Sequence, residues 1–339
     1  MKAIGYQQSL PIDNPDSLID IVLPDPQPSG HDLLVEIKAV SVNPVDTKIR
    51  KNAAPPEGQW KVLGWDAAGV VRAVGPDVTL FRPGDRVWYA GDVTRQGTNS
   101  ELHLVDERIV GHMPATLDFV QAAALPLTTI TAWEMLFDRL RIATGKQATD
   151  DHLLIIGAGG GVGSIMTQLA RRLTGVTVIG TASRPETQAW VKELGAHHVI
   201  DHSRSLSEEL KGIGLPTVSH IVSLTQTDRH LDAIAEAIAP QGKFGLIDDP
   251  ATFDIIKLKR KSVSLHWEFM FTRSMFQTAD LLSQHRLLDE VAALVDAGLI
   301  RTTVGEQFGI INAANLKRAH VLLESGKARG KIVLEGFGA

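Results

Sequence analysis

The chain has 339 residues, 44% hydrophobic and 22% charged, with a formal net charge of −5 and no cysteine. At roughly 150 residues per domain this length asks for two hydrophobic cores, and no run approaches the ~18 consecutive apolar residues of a membrane span. Without cysteine there are no disulfides, thiolate nucleophiles or sulfur-bound zinc or iron–sulfur centres; without a basic cluster there is nothing to gather nucleic acid or an anionic membrane, and a small molecule is the expected partner.

The chain opens MKAIGYQQSLPIDNPD, with one lysine and no long apolar stretch, so a signal or transit peptide is not expected and a cytoplasmic protein is. Over the first ~120 residues, strands are predicted at Lys2–Tyr6, Leu33–Val42, Ala67–Val74, Arg86–Tyr89 and Ser100–Val105, the spacing of a compact β barrel or sandwich. Gly75-Pro76-Asp77 and Pro83-Gly84-Asp85 supply positive φ and preset turns between them. A helix is predicted through Gln121–Phe137, and then strands alternate with helices. The strands are Leu153–Ile156, Val176–Thr181, His198–Ile200, Ser219–Leu224, Lys243–Ile247 and Ser262–Trp267. The helices are near Ser164–Leu173, Pro185–Leu194, Ser205–Lys211 and His230–Ala239, long enough for right-handed crossovers. Ser205 with Glu208 reads as a capping box. A helix around Leu287–Asp296, a strand near Thr302–Phe308, a helix at Ala313–Glu324 and a strand at Lys331–Glu335 follow, as if the chain returned to complete its first domain.

Apolar Leu153–Ile156 runs into Gly157-Ala158-Gly159-Gly160-Gly161-Val162-Gly163, and an amphipathic helix begins at Ser164. In this strand–turn–helix order, Gly157, Gly160, Gly161, Val162 and Gly163 form a turn whose amides, with the positive end of the helix, hold a pyrophosphate. The second strand ends Thr181-Ala182-Ser183-Arg184, with no carboxylate to bond a ribose 2′-hydroxyl. Arg184 there favours a 2′-phosphate through charge-assisted bonds of ~1.5–3 kcal/mol, and so NADP(H) over NAD.

SVNPVDTKIR at Ser41–Arg50, LGWDAAGVVRAVG at Leu63–Gly75, FRPGDRVWYAGD at Phe81–Asp92, ALPLTTITAWE at Ala124–Glu134, IGAGGGVGS at the turn and GKARGKIVL at Gly326–Leu334 extend along essentially the whole chain. With them the sequence resembles the medium-chain dehydrogenase/reductases of the quinone oxidoreductase branch, particularly the bacterial zinc-type alcohol dehydrogenase-like proteins. The resemblance implies an α/β protein with two domains. One is a GroES-like β-rich catalytic domain over residues 1–124 and 273–339, the other a Rossmann domain with a doubly wound parallel sheet over 125–272. It implies substrate in the cleft between them and a homodimer paired through the Rossmann domains. It also places Thr131 beside the nicotinamide and Ser183 with Arg184 at the adenosine phosphate. Leu224, Ile247 and the Gly326–Lys331 segment containing Arg329 resemble further cofactor-contacting positions.

Zinc-dependent relatives carry a cysteine near the position of Asn43, a histidine at that of Trp65 and a later cysteine; none is present here. Asp66 remains as one ligand where catalytic zinc takes three, so no metal site and no zinc are expected. Without a Lewis acid, oxygen charge must be met by hydrogen-bond donors, which suits hydride transfer to quinones or enones, whose negative charge spreads to a distant oxygen. The catalytic candidates are Asn43 as neutral donor, Tyr89 as donor or proton source, and Asp66 as orienting carboxylate. Met270, Phe271, Met275 and Phe276 suit an adaptable pocket, or else core or dimer contact. The competing readings are an alcohol dehydrogenase and a non-catalytic NADPH-binding structural or sensor protein.

Overall fold

The computed structural model describes residues 1–338 and divides into two units, Met1–Ile130 with the chain from Phe271 onward, and Thr131–Met270. Among the described residues the strands, in chain order, are β1 (Lys2–Tyr6), β2 (Ile19–Val22), β3 (Asp32–Val42), β4 (Lys61–Val62), β5 (Ala67–Val74), β6 (Arg86–Tyr89), β7 (Leu102–Asp106), β8 (Val110–His112), β9 (His152–Ile156), β10 (Thr177–Thr181), β11 (His198–Ile200), β12 (Val218–Ser223), β13 (Ile238–Leu246), β14 (Ser264–Trp267), β15 (Val304–Gln307) and β16 (Lys331–Glu335).

In the first unit, β3 organises a seven-stranded sheet of order β15-β16-β3-β5-β6-β8, with β7 also paired to β3. Eleven residues long, β3 alternates half-buried positions with buried Leu33, Val35, Ile37 and Ala39, the period-2 pattern that fixes its register. One edge takes β5; the other is shared between β7 at Asp32–Glu36 and β16 at Ala39–Val42. The N-terminal residues therefore do not close a barrel or sandwich by themselves, because the C-terminal strand lies within their sheet. A separate small sheet runs β2-β1-β4. Of the two glycine turns, Gly84 has the predicted positive φ of +98°, whereas Gly75 does not: a Cβ there would lie 2.3 Å from the Gly30 carbonyl, so close approach selects glycine.

The second unit is a six-stranded parallel sheet of order β11-β10-β9-β12-β13-β14, so β9 sits centrally and the order reverses beside it. Helices Gly161–Leu173, Pro185–Glu193, Leu206–Gly212 and Thr227–Ala237 make the crossovers. Leu154, Ile156, Ile179, Ile221, Phe244 and Leu246 are buried in one cluster, each contributing about 1.5–3 kcal/mol relative to exposure. The Ser205 hydroxyl accepts from Glu208 N at 3.4 Å, one half of the predicted capping box. The helix predicted over Gln121–Phe137 is instead Phe119–Ala123, Pro126–Trp133 and a π-helical turn, Glu134–Arg139. Pro126 lacks the N–H that would continue the first helix and begins the second.

Candidate active site

In the second unit the glycine turn stands at the carboxyl end of β9. Gly157 adopts φ +85° and gives its N–H to Thr181 Oγ1 at 3.1 Å. The Thr181 hydroxyl is also 3.0 Å from His202 Nδ1, so one hydroxyl ties the turn to β10 and to the residues after β11. Gly160 caps the helix Gly161–Leu173. A Cβ on Gly163 would lie 2.5 Å from Ala158 Cα and 2.6 Å from the Gly157 carbonyl, whereas one on Gly160 would meet only the Gly157 carbonyl, at 3.6 Å. Gly163 is thus small because protein packs there, whereas the space beside Gly160 is open. Val162 is half-buried on the first helical turn.

The carboxyl ends of neighbouring strands bring other predicted residues to the same edge. Leu224 N bonds Ile156 O at 3.1 Å and Ile247 N bonds Ser223 O at 3.3 Å, both side chains half-buried. Ser183 is exposed just past β10, and Arg184, 41% exposed, lies 3.4 Å from Glu186 at the start of the next helix. Thr131 is 5% exposed on the helix Pro126–Trp133. Three residues on begins an acid pair that the sequence reading overlooked. Glu134 and Glu268 are both buried, with Arg139 Nε donating to Glu268 Oε2 at 2.8 Å and Arg139 Nη2 3.7 Å from Glu134 Oε2. Burial, and next the Glu134 carboxylate, push the Glu268 pKa up to about 9.

The remaining predicted residues belong to the first unit. Asp66 is fully buried and accepts four bonds of 2.9 Å: from Ser41 Oγ, Asn43 Nδ2 and Lys331 Nζ on Oδ2, and from Leu127 N on Oδ1. Lys331, 3% exposed, also donates to the Asn43 side-chain carbonyl and, at 3.2 Å, to Val42 O. Asn43 caps the helix Pro44–Asn52, its N–H held by Asp46 Oδ2 at 2.6 Å. Asp46 also receives Gly64 N at 2.9 Å, and burial raises its pKa to about 7 against these bonds. The Asn-Pro-x-Asp spacing is a capping signal that marks Asp46, beside Asn43's expected role as a neutral donor. Arg329 is half-buried two residues before Lys331.

Tyr89 is buried and stacks on His103 at 5.6 Å, with its hydroxyl 3.0 Å from Nδ1. His103 Nε2 lies 2.9 Å from the Gln96 carbonyl, which only accepts, so Nε2 carries the proton and Tyr89 donates to Nδ1. Burial lowers the His103 pKa to about 4 and raises that of Tyr89 well above its usual value. Tyr89 is therefore a committed donor and a poor acid.

The donors present do not suit zinc. The Asn43 carbonyl receives an ammonium, Asp66 is saturated, and Trp65 is buried with its indole N–H on the Asp92 carbonyl at 3.2 Å. Among the described residues no group of three His, Asp or Glu is placed to hold a metal ion.

A glycine turn at the carboxyl edge of a doubly wound sheet, carried by a chain with a second, β-rich unit, is the arrangement of a dehydrogenase-type oxidoreductase. Residues 29–119 match the alcohol dehydrogenase GroES-like domain and residues 194–334 the zinc-binding dehydrogenase domain. A zinc-type alcohol dehydrogenase-like protein of Staphylococcus aureus is 40% identical over 98% of this chain and 99% of its own. A Rhizobium etli crystal structure described as a zinc-dependent alcohol dehydrogenase protein superposes with a TM-score of 0.97 at 60% identity, covering 100% of this chain and 99% of that one. The Escherichia coli quinone oxidoreductase complexed with NADPH gives 0.83 at 26% identity, covering 99% of this chain and 100% of that one. The chain belongs to the medium-chain dehydrogenase/reductase superfamily, in its quinone oxidoreductase branch.

Proposed function

We propose that this protein is an NADPH-dependent reductase of quinones or α,β-unsaturated carbonyls that works without a metal. The observation that carries the reading is the contrast within the glycine turn: Gly163 is small against protein, Gly160 against open space at a helix N-terminus. Gly157, Gly160, Gly161, Val162 and Gly163 hold the pyrophosphate, Ser183 and Arg184 the 2′-phosphate, and Thr131, Leu224, Ile247 and Arg329 the rest of the dinucleotide. Bound there, NADPH supplies the hydride. Asn43 is the neutral donor to the developing oxyanion, oriented by Asp66 through the bond to its amide nitrogen. Tyr89 holds His103, and solvent water supplies the proton that completes the reduced product. The NADPH complex of the Escherichia coli relative supports the choice of cofactor. A homodimer through the second unit fits its free-running edge: β14 is terminal in the sheet, and Trp267 at its end is 52% exposed.

The test is a single matrix of NADPH and NADH against 1,2- and 1,4-quinones, enones, simple aldehydes and alcohols, with and without a chelator. Chelator-insensitive, NADPH-selective reduction of the conjugated acceptors is expected. Turnover confined to alcohols and abolished by chelator would replace this reading with a metal-dependent alcohol dehydrogenase; binding of NADPH with no turnover at all would make the protein a sensor.

A further inference from the structure

We propose that His202 is a positioning residue for the dinucleotide: through the Thr181 hydroxyl it fixes Gly157, and through Gly157 the open edge of the glycine turn at Gly160. This role rests on the dinucleotide reading of the turn. A glycine turn has no side chains with which to hold its own shape, and glycine has more backbone freedom to lose than any other residue. Gly157, at φ +85°, is held from outside the turn and from within it. Its N–H goes to Thr181 Oγ1 at 3.1 Å, and its carbonyl takes the Gly160 N–H at 3.2 Å. Thr181 is the last residue of β10 and fully buried, and among the described residues its hydroxyl has two partners. Gly157 N only donates, so the single hydroxyl proton goes to His202 Nδ1, 3.0 Å away. His202 is thereby the neutral tautomer with its proton on Nε2, and burial, which lowers its pKa against the Asp201 carboxylate, favours that form. The ring meets that of His230 edge to face, with centroids 6.1 Å apart. His230 is on the first turn of helix Thr227–Ala237, whose start is fastened by Thr227 N to Asp248 Oδ2 at 2.9 Å. A run of three hydrogen bonds therefore carries the position of His202 to Gly160, beside the open space. Without the acceptor, the buried Thr181 proton has no partner, and the hydroxyl turns from Gly157 to find one.

Calorimetry with NADPH on three variants is the test. His202→Phe keeps a ring against His230 but removes the acceptor, and the Kd should rise about 10-fold. His202→Asn puts its side-chain oxygen where Nδ1 stands and should hold the Kd within about 3-fold of wild type. Thr181→Val replaces the hydroxyl by a methyl group and should weaken NADPH as much as His202→Phe does. Adding His202→Phe to Thr181→Val should then change nothing further, because His202 acts only through that hydroxyl. Wild-type Kd in His202→Phe, equal losses in His202→Phe and His202→Asn, or losses that add in the double variant overturn the proposal. Should His202→Phe fail to fold, Thr181→Val against Thr181→Ser carries the same contrast, loss against retention. Hydrogen exchange of the Gly157 amide, followed by NMR without any ligand, reads the tether alone: it should quicken roughly 10-fold in His202→Phe and stay unchanged in His202→Asn. A wild type that binds neither NADPH nor NADH would sink the dinucleotide reading, while the exchange contrast would still decide whether His202 holds the turn.

Discussion

At the scale of single residues, Arg184 and Glu268 make separable predictions. Arg184 is half-exposed and already near Glu186, so its value to binding rests on the charge that arrives. Arg184→Ala should raise the KM for NADPH about 10-fold or more while that for NADH changes little; initial rates with both cofactors decide, and equal effects would remove Arg184 from the 2′-phosphate site. Glu268 keeps its proton in the folded state far above its ordinary value of 4.5, up to about 9. A carboxyl group with a raised folded pKa contributes stability that is complete below 4.5 and is lost as pH rises through about 9. Stability of the wild type should therefore decline across that window. Glu268→Gln keeps a neutral hydrogen-bonding group beside Glu134 and should flatten the decline; urea midpoints from pH 5 to 9 read it. Neither carboxylate was legible as a pair in the sequence, because they lie far apart along the chain and the π-helical turn that positions Glu134 leaves no periodic signature.

At the scale of elements, the glycine turn yields a contrast between two small substitutions. Gly163→Ala drives a methyl group into the Gly157–Ala158 backbone and should lower the melting temperature by several degrees, an overpacking cost of about 1–3 kcal/mol. Gly160→Ala meets almost nothing and should melt like the wild type, yet weaken NADPH at least ~10-fold, as calorimetry would show. If Gly160→Ala bound NADPH normally, the open space beside it would not be where the pyrophosphate sits. The sequence showed this turn well, because strand, glycines and helix are contiguous. The longer regular elements were also plain: helix Ala313–Glu324 and strands β1, β5 and β16 lie where periodicity put them. The short strands β2, β4 and β8 were not, since two to four residues carry no period, and helix Pro44–Asn52 was hidden behind its Asn-Pro start.

On the scale of the whole molecule, the two cores expected from length are present as two units, and a cofactor held by one of them stabilises that unit by mass action. NADPH at a hundredfold excess over its Kd should add about 2.7 kcal/mol to the unfolding of Thr131–Met270. Scanning calorimetry should show that transition moving up by several degrees, more with NADPH than with equimolar NADH; a melt indifferent to both at millimolar concentration defeats the dinucleotide reading. What could not be read at this scale was the polar centre of the first unit. Asp66 and Lys331 are 265 residues apart, and only the folded sheet makes them neighbours. A lysine near the end of the chain looked like part of a cofactor-contacting tail, and nothing local marked it as the partner of Asp66.

The insertion of β16 beside β3 also sets a schedule for biosynthesis. Val42 and Lys331 are separated by 289 positions, so at about 5–20 residues per second a ribosome needs roughly 15–60 s to deliver the strand that seals that margin. Throughout the interval the nascent N-terminal segment carries an unsealed β margin and an Asp66 carboxylate whose ammonium has yet to be translated. The parallel-sheet unit, encoded in between, has all its strands out of the exit tunnel well before. Newly made protein should accordingly lean on chaperones for its first 130 residues, and early termination a few codons before residue 331 should be far more damaging than the few missing residues suggest.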